Sequence, residues 1–109
     1  MDIYVMELLE KYPVEIRELF STLEDIVMTN VSAKIEPKVW AKLPSFYVGD
    51  KFVRLIPFKD HLNVQAEAIP KNKALFKDYK LSKRGMLHLH PGEEIPVEAL
   101  IKCFKETLE

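Results

Sequence analysis

Residues 45–68 read SFYVGDKFVRLIPFKDHLNVQAEA, a stretch of aromatic and β-branched residues that contains two turn-forming sequences. Gly49-Asp50 predicts a two-residue hairpin, because glycine adopts positive φ angles at little cost. Lys59-Asp60-His61 predicts a second tight turn, after which hydrophobic and polar residues alternate from residue 62 to residue 68. This alternation is typical of a strand with one covered face. The stretch therefore predicts three consecutive antiparallel strands.

Amphipathic helices are predicted on both sides of this stretch. Residues 3–12, with Asp2 as their cap, and residues 14–28 carry apolar side chains at helical spacing. A short helix over about residues 71–78 follows the third strand, with Leu75 and Phe76 expected to point inward. A final helix starts at Pro96, because proline is well tolerated at the beginning of a helix.

Two further strands are predicted at residues 33–41 and 86–90, and a basic loop at residues 80–85. The resulting order is α-α-β-β-β-β-α-β-α. We expect residues 1–109 to form a single α+β domain with an antiparallel or mixed five-stranded sheet. The amphipathic helices at both ends need an apolar surface to cover, so they are expected to pack on one face of that sheet.

Composition indicates a globular protein in a reducing compartment. The 109 residues are 48% hydrophobic and 30% charged, and no apolar run approaches the roughly 20 residues that a membrane-spanning helix requires. The sequence begins with an acidic, amphipathic segment, unlike a secretory signal. Cys103 is the only cysteine, so an internal disulfide is excluded. We therefore expect a cytoplasmic protein that does not enter a membrane.

Charge is distributed unevenly along the chain. Residues 1–30 carry seven acidic and two basic side chains, whereas residues 31–90 carry twelve basic and five acidic ones. Carboxylates suit hard cations such as ferric iron, which prefer oxygen ligands. The candidate metal ligands in the first two helices are Glu7, Glu10, Glu15 and Glu18. The alternative is that these side chains form an ordinary solvated helix face.

His88 and His90 are a second pair of candidate metal ligands. Two residues apart on a strand, they point to the same face of the sheet. Two imidazoles can bind a transition metal if further ligands come from elsewhere. The alternative is a pair of half-exposed surface histidines.

The aromatic strands suggest a different kind of site. Phe52, Arg54, Ile56 and Phe58 share one face of the third strand. If helices cover the opposite face, an aromatic surface with an embedded arginine stays open to a small organic anion or a partner protein. If they do not, the three apolar side chains form the core and the arginine lies at its edge. The candidate ligand-binding residues are Trp40, Phe46, Arg54, Phe58, His61, Lys83 and Arg84.

Other functional classes lack support in the sequence. No nucleophile–base pair or paired-carboxylate motif is present, so we expect no enzymatic activity. The basic loop lacks a glycine-rich phosphate cradle. Aromatic residues do not interleave with its lysines as a nucleic-acid platform requires, so we expect no nucleic-acid partner.

Three segments carry a resemblance to a known family: LPSF at residues 43–46, IPFKDH at residues 56–61 and YKLSKRG at residues 79–85. In their order and spacing, the chain resembles the YdhG-like family over nearly its whole length. Some members are described as frataxin-like iron chaperones, which deliver iron to iron–sulfur or haem assembly. The resemblance implies an α/β fold of this type, iron binding, and partners among iron–sulfur or haem assembly proteins.

The chain departs from the family pattern in two places. Arg84 looks inserted before the glycine of the third segment. His88 and His90 occupy strand positions where relatives more often carry other residues. The histidine pair therefore inherits no role from the resemblance.

Overall fold

Two helices precede the sheet. The computed structural model describes residues 3–109, with side chains described from Val5 onward. Helix α1 spans Ile3–Leu9, which is shorter than predicted, and α2 spans Val14–Asn30, two residues longer than predicted. Pro13 precedes α2 in an extended conformation with a ψ angle of 155°. The capping role predicted for Asp2 lies outside the described residues.

The sheet is antiparallel throughout. In residues 3–109 it contains the strands β1 (Glu36–Trp40), β2 (Leu43–Val48), β3 (Lys51–Pro57), β4 (Leu62–Ala66), β5 (Lys80–Leu81) and β6 (Leu87–Leu89). Their spatial order is β1-β2-β3-β4-β6-β5, and every neighbouring pair is antiparallel. The predicted α+β class and the helices at both ends are confirmed. The described sheet has six strands and not five, because β5 forms within the segment predicted to be a loop.

Two tight turns connect the first three strands. Gly49 and Asp50 join β2 to β3 as predicted, with Val48 opposite Lys51 and a Gly49 φ angle of +64°. The turn between β1 and β2 consists of Ala41 and Lys42, whose φ angles are also positive, at 50° and 65°. Residues other than glycine adopt this conformation at a cost of roughly 1–2 kcal/mol each. For that reason the sequence did not predict this turn.

The helices cover one face of the sheet, which we call the covered face. Helix α4 spans Val97–Leu108, as the position of Pro96 predicts, and it packs with α2 against β3 and β4. Val53, Leu55 and Val64 are fully buried between these layers. Among residues 3–109 no helix is both long and apolar enough to cross a membrane.

The segment after β4 differs from the single helix predicted at 71–78. Helix α3 covers only Ala68–Lys71, and a 3₁₀ helix follows at Lys73–Phe76. Asn72 separates the two, with a φ angle of −120° and with its backbone and side-chain N–H groups both donating to the carbonyl of Ala68. Phe76 is buried as predicted, but Leu75 is 45% exposed because the change in helix type turns it outward.

Candidate functional site

The face of the sheet opposite the helices, which we call the open face, carries most of the candidate ligand-binding residues. Alternation along β3 places Phe52, Arg54 and Ile56 on this face, opposite Val53 and Leu55. Phe52, Arg54 and Ile56 remain outside the apolar core. Phe58, just beyond β3, is 41% exposed. The helices therefore leave an aromatic surface uncovered.

Arg54 lies at the centre of this surface. Its guanidinium carbon is 4.2 Å from the ring centroid of Trp40 and 3.8 Å from that of Phe52. Its Nε donates to Ser45 Oγ at 2.9 Å, and its Nη2 donates to Tyr47 OH at 2.7 Å. These contacts leave Arg54 only 8% exposed although no helix covers it. In the described part of the chain no carboxylate pairs with it, and its recorded side-chain contacts are with aromatic rings and hydroxyls.

A cavity of about 420 Å³ on the other side of the sheet includes Phe46. Phe46 lies opposite Val53 in the register of β2 and β3, and it is 2% exposed. The structure therefore places this predicted ligand-binding residue on the covered face, apart from Trp40 and Arg54. Alternation within β2 explains the placement, because Ser45 and Tyr47 occupy the open-face positions.

A larger cavity, of about 610 Å³, opens beside Phe52, and we call it the Phe52 cavity. Phe52 and Gln65 line it from the sheet. Lys51 and Arg84 contribute cations to the lining, and Asp50 and Glu67 contribute carboxylates. Neither Lys51 nor Arg84 forms an ion pair with any residue from 3 to 109. Lys71, which also lines the cavity, is paired with a glutamate at 2.8 Å. The volume of the Phe52 cavity is within the range of small-molecule sites.

The loop that carries Arg84 is held in place by close packing. A Cβ added to Gly85 would lie 2.7 Å from Pro70, so only glycine allows this approach. Ser82 closes the loop, because its hydroxyl accepts from the N–H of Met86 at 3.1 Å. The structure thus brings Arg84 to the Phe52 cavity. Lys83 is exposed and does not line that cavity.

All three histidines of the chain meet at the other end of the open face. The rings of Phe58 and His61 stack with centroids 4.3 Å apart, and those of His61 and His88 stack at 3.8 Å. We call these three rings the histidine stack. His90 is tilted against it, with its Nε2 3.4 Å from Nε2 of His88. The predicted pairing of His88 and His90 on one face is confirmed, and His61 joins them.

The surroundings of the histidines lower the pKa of two groups, His88 and Asp60. The pKa of His88 is lowered, first by burial and then by the nearby rings of His61 and His90. The pKa of Asp60 is lowered because its carboxylate is hydrogen-bonded to Nδ1 of His61 at 2.7 Å. His88 therefore favours the neutral imidazole, whose free nitrogen is a lone-pair donor.

The predicted acidic metal ligands are exposed and scattered. Glu7, Glu10, Glu15 and Glu18 all lie on the solvent side of the first two helices or at the end of α1. Glu15 and Glu18 border a shallow cavity of about 280 Å³ with Glu93. Across residues 3–109, no group of three or more histidine, cysteine, aspartate or glutamate side chains is arranged to hold a metal ion. Iron binding by these acids stays a prediction.

Sequence reasoning missed several residues of the open face. Ser45 and Tyr47 hold Arg54, and Gln65 lines the Phe52 cavity. Asn63 lies opposite His88 in the register of β4 and β6, with its buried Oδ1 accepting no hydrogen bond in the described part of the chain. The two-residue turn at Gly49-Asp50 was a usable signal, because it pairs Val48 with Lys51 and so places Ser45 opposite Arg54.

Comparisons of the chain with protein-family models, with curated protein sequences and with solved structures found no match. The resemblance to the YdhG-like family therefore stays a prediction.

Proposed function

We propose that this protein is a non-enzymatic binding module that takes a small organic anion into the Phe52 cavity. The observation that carries the proposal is the lining of that cavity, where an aromatic ring and an amide lie next to Lys51 and Arg84, two cations that form no ion pair within residues 3–109. The three cations of the lining outnumber its two carboxylates, Asp50 and Glu67. A pocket of this kind suits a ligand with an apolar body and a negatively charged end. The cations attract the charge, and the ring of Phe52 covers the apolar part.

The neighbouring arginine supports this proposal. Arg54 lies 3.8 Å from the centroid of Phe52, and its own hydrogen bonds to Ser45 and Tyr47 fix its position. A ring held by such a contact loses little freedom when a ligand arrives, so less of the binding free energy is spent on ordering it. Arg54 also adds positive charge close to the cavity.

The concave shape favours a small ligand over a protein partner. A cavity of about 610 Å³ surrounds a small molecule on several sides, whereas protein interfaces generally need about 800 Å² of surface on each partner.

We also place the protein in the cytoplasm. Support for this location comes from Cys103, a free thiol that is buried in the core.

The experiment compares charged and neutral forms of one probe. Titration with 2-naphthoate, followed by amide NMR shifts of Gln65 and Gly85, is expected to give saturable binding. The neutral 2-naphthamide is expected to bind at least tenfold more weakly, because a hydrogen bond to a charged group is worth about 1.5–3 kcal/mol. Equal affinity for the two probes would contradict the proposal.

Two adjacent residues of one loop provide the matched variants. Arg84→Gln removes a cation that lines the cavity and is expected to weaken 2-naphthoate binding about tenfold. Lys83→Gln removes the same charge from an exposed position outside the cavity and is expected to leave the affinity within about twofold. Equal losses in the two variants would indicate non-specific attraction to the basic loop.

A further inference from the structure

Two imidazoles have the spacing of a metal chelate: that of His88 in β6 and that of His90, just after β6. Nε2 of His88 and Nε2 of His90 are 3.4 Å apart. Two nitrogens bound to one tetrahedral metal ion at about 2.0–2.1 Å lie roughly 3.3–3.4 Å from each other. A direct hydrogen bond from nitrogen is usually shorter, at about 2.9–3.0 Å. The separation therefore matches the spacing that a shared metal ion requires and is long for a hydrogen bond.

Carboxylates lie on the outer side of this histidine group. Glu93 accepts a hydrogen bond from the backbone N–H of His90 at 2.9 Å, and its carboxylate is 3.9 Å from Nδ1 of the same ring. Asp60 contacts Nδ1 of His61 at 2.7 Å. In metal sites, a carboxylate near one ring nitrogen keeps the proton there and leaves the other nitrogen free to bind the metal. At 3.9 Å Glu93 makes no hydrogen bond to Nδ1 of His90, and it contributes negative charge beside the two imidazoles.

The histidine stack restricts the orientation of His88. Its ring lies 3.8 Å from that of His61 with an angle of only 8° between the planes. An imidazole lone pair lies in the plane of its ring, and the two ring planes are nearly parallel, so His61 and His88 do not converge on one ion. His61 is therefore a positioning residue, and it holds the His88 ring in the plane from which Nε2 meets Nε2 of His90.

A buried acceptor next to this pair has no partner. Asn63 lies directly opposite His88 across β4 and β6, and its Oδ1 accepts no hydrogen bond from residues 3–109. Buried polar atoms without a partner are rare, and a bound ion or its water ligand is one explanation. This observation is independent of the distance between the two imidazoles.

We propose that His88 and His90 chelate one divalent ion of a late first-row transition metal through their Nε2 atoms. Across the described residues no third histidine, cysteine or carboxylate completes the set, so water or an added ligand occupies the remaining positions. Imidazole ligands suit zinc, copper and nickel, whereas ferric iron prefers oxygen ligands. The site is therefore distinct from both the Phe52 cavity and the acids of the first two helices.

Calorimetric titration with zinc tests the proposal on the tag-free protein. The wild-type chain is expected to bind one zinc ion, and His88→Gln and His90→Gln are each expected to weaken binding at least tenfold. His90 suits this test because its side chain is 53% exposed, so its replacement leaves the fold intact. Equal zinc binding by the wild type and the His88→Gln/His90→Gln double variant would overturn the proposal.

Two control variants separate this site from its neighbours. His61→Phe keeps a stacked ring beside His88 but removes its nitrogens, so zinc affinity is expected to stay within threefold. Glu15→Gln/Glu18→Gln is expected to have no effect. A tenfold loss in either control would contradict the assignment of the ligands. Nitrogen NMR of the histidine rings gives a second readout. Zinc is expected to shift Nε2 of both His88 and His90, and a shift confined to Nδ1 would overturn the proposal.

Discussion

The two faces of the same sheet bury their side chains in different ways. On the covered face, Leu55 has no exposed surface because α2 and α4 pack over it. On the open face, Arg54 is only 8% exposed, and it is shielded by Trp40, Phe52 and its own hydrogen-bond partners. Helices supply the burial on one face, and neighbouring side chains of the sheet supply it on the other.

This difference separates stability from recognition along one strand. The covered face gains free energy from apolar area removed from water, about 1.5–3 kcal/mol for each fully buried large side chain. The open face keeps several of its aromatic rings and its histidines at least partly exposed, where a ligand can reach them. Successive residues of β3 therefore contribute in turn to the core and to the candidate site.

The largest expected effect tests this contrast on two neighbouring residues. Leu55→Ala is expected to lower the free energy of unfolding by about 2–5 kcal/mol, because it leaves a cavity beneath the helices. Ile56→Ala, on the partly exposed open face, is expected to cost about 1 kcal/mol. Urea unfolding followed by far-UV circular dichroism measures both. Losses of equal size would mean that the helices do not distinguish the two faces.

The next effect concerns the arginine of the open face. Arg54→Lys is expected to cost about 1–3 kcal/mol, because lysine cannot stack between two rings while donating to both Ser45 and Tyr47. Lys38 is the control, since its ammonium lies 5.3 Å from the centroid of Tyr47 but its side chain is 54% exposed. Lys38→Gln is expected to change stability by less than about 0.5 kcal/mol. If both variants cost the same in urea unfolding, Arg54 is not a buried element of the open face.

The covered face was the more predictable of the two. The alternation after residue 62, the hairpin at Gly49-Asp50 and the helix after Pro96 all follow from local sequence, and the structure confirms them. Each depends on neighbouring residues alone. Strand β5 did not follow from local sequence, because two residues are a strand only through their pairing with β6.

The candidate site was less predictable because it depends on register. Residue type placed Phe46 among the ligand-binding residues, but its pairing with Val53 puts it on the covered face. The same register brings Ser45 to Arg54, and the pairing of β4 with β6 brings Asn63 to His88. The meeting of His61 with His88 and His90 also requires strands that are distant in sequence.

The turn between β1 and β2 offers a smaller effect, next to Trp40 on the open face. Ala41 and Lys42 both have positive φ angles, which asparagine and glycine adopt more readily. Ala41→Asn/Lys42→Gly is therefore expected to raise the free energy of unfolding by about 1 kcal/mol. Gly49→Ala in the other hairpin is the opposite control, with an expected loss of about 1 kcal/mol from its φ angle of +64° alone, since nothing beyond its chain neighbours lies within 4 Å of the added Cβ. A destabilised Asn-Gly variant in thermal unfolding would contradict this explanation.

The smallest expected effect on stability appears only at alkaline pH. It concerns a helix that packs on the covered face. Cys103 of α4 is fully buried, and burial raises the pKa of its thiol from 9.0 to about 11. A pKa that is higher in the folded state favours the neutral thiol there, so its contribution to stability is complete below pH 9 and is lost as pH rises towards 11. The difference in unfolding free energy between the wild type and Cys103→Ala is therefore expected to be constant from pH 7 to pH 8.5 and to change in favour of Cys103→Ala above pH 9. A difference that stays constant up to pH 11 would mean that the thiolate reaches water, and hence that α4 seals its side of the sheet less completely than the burial of Leu55 implies.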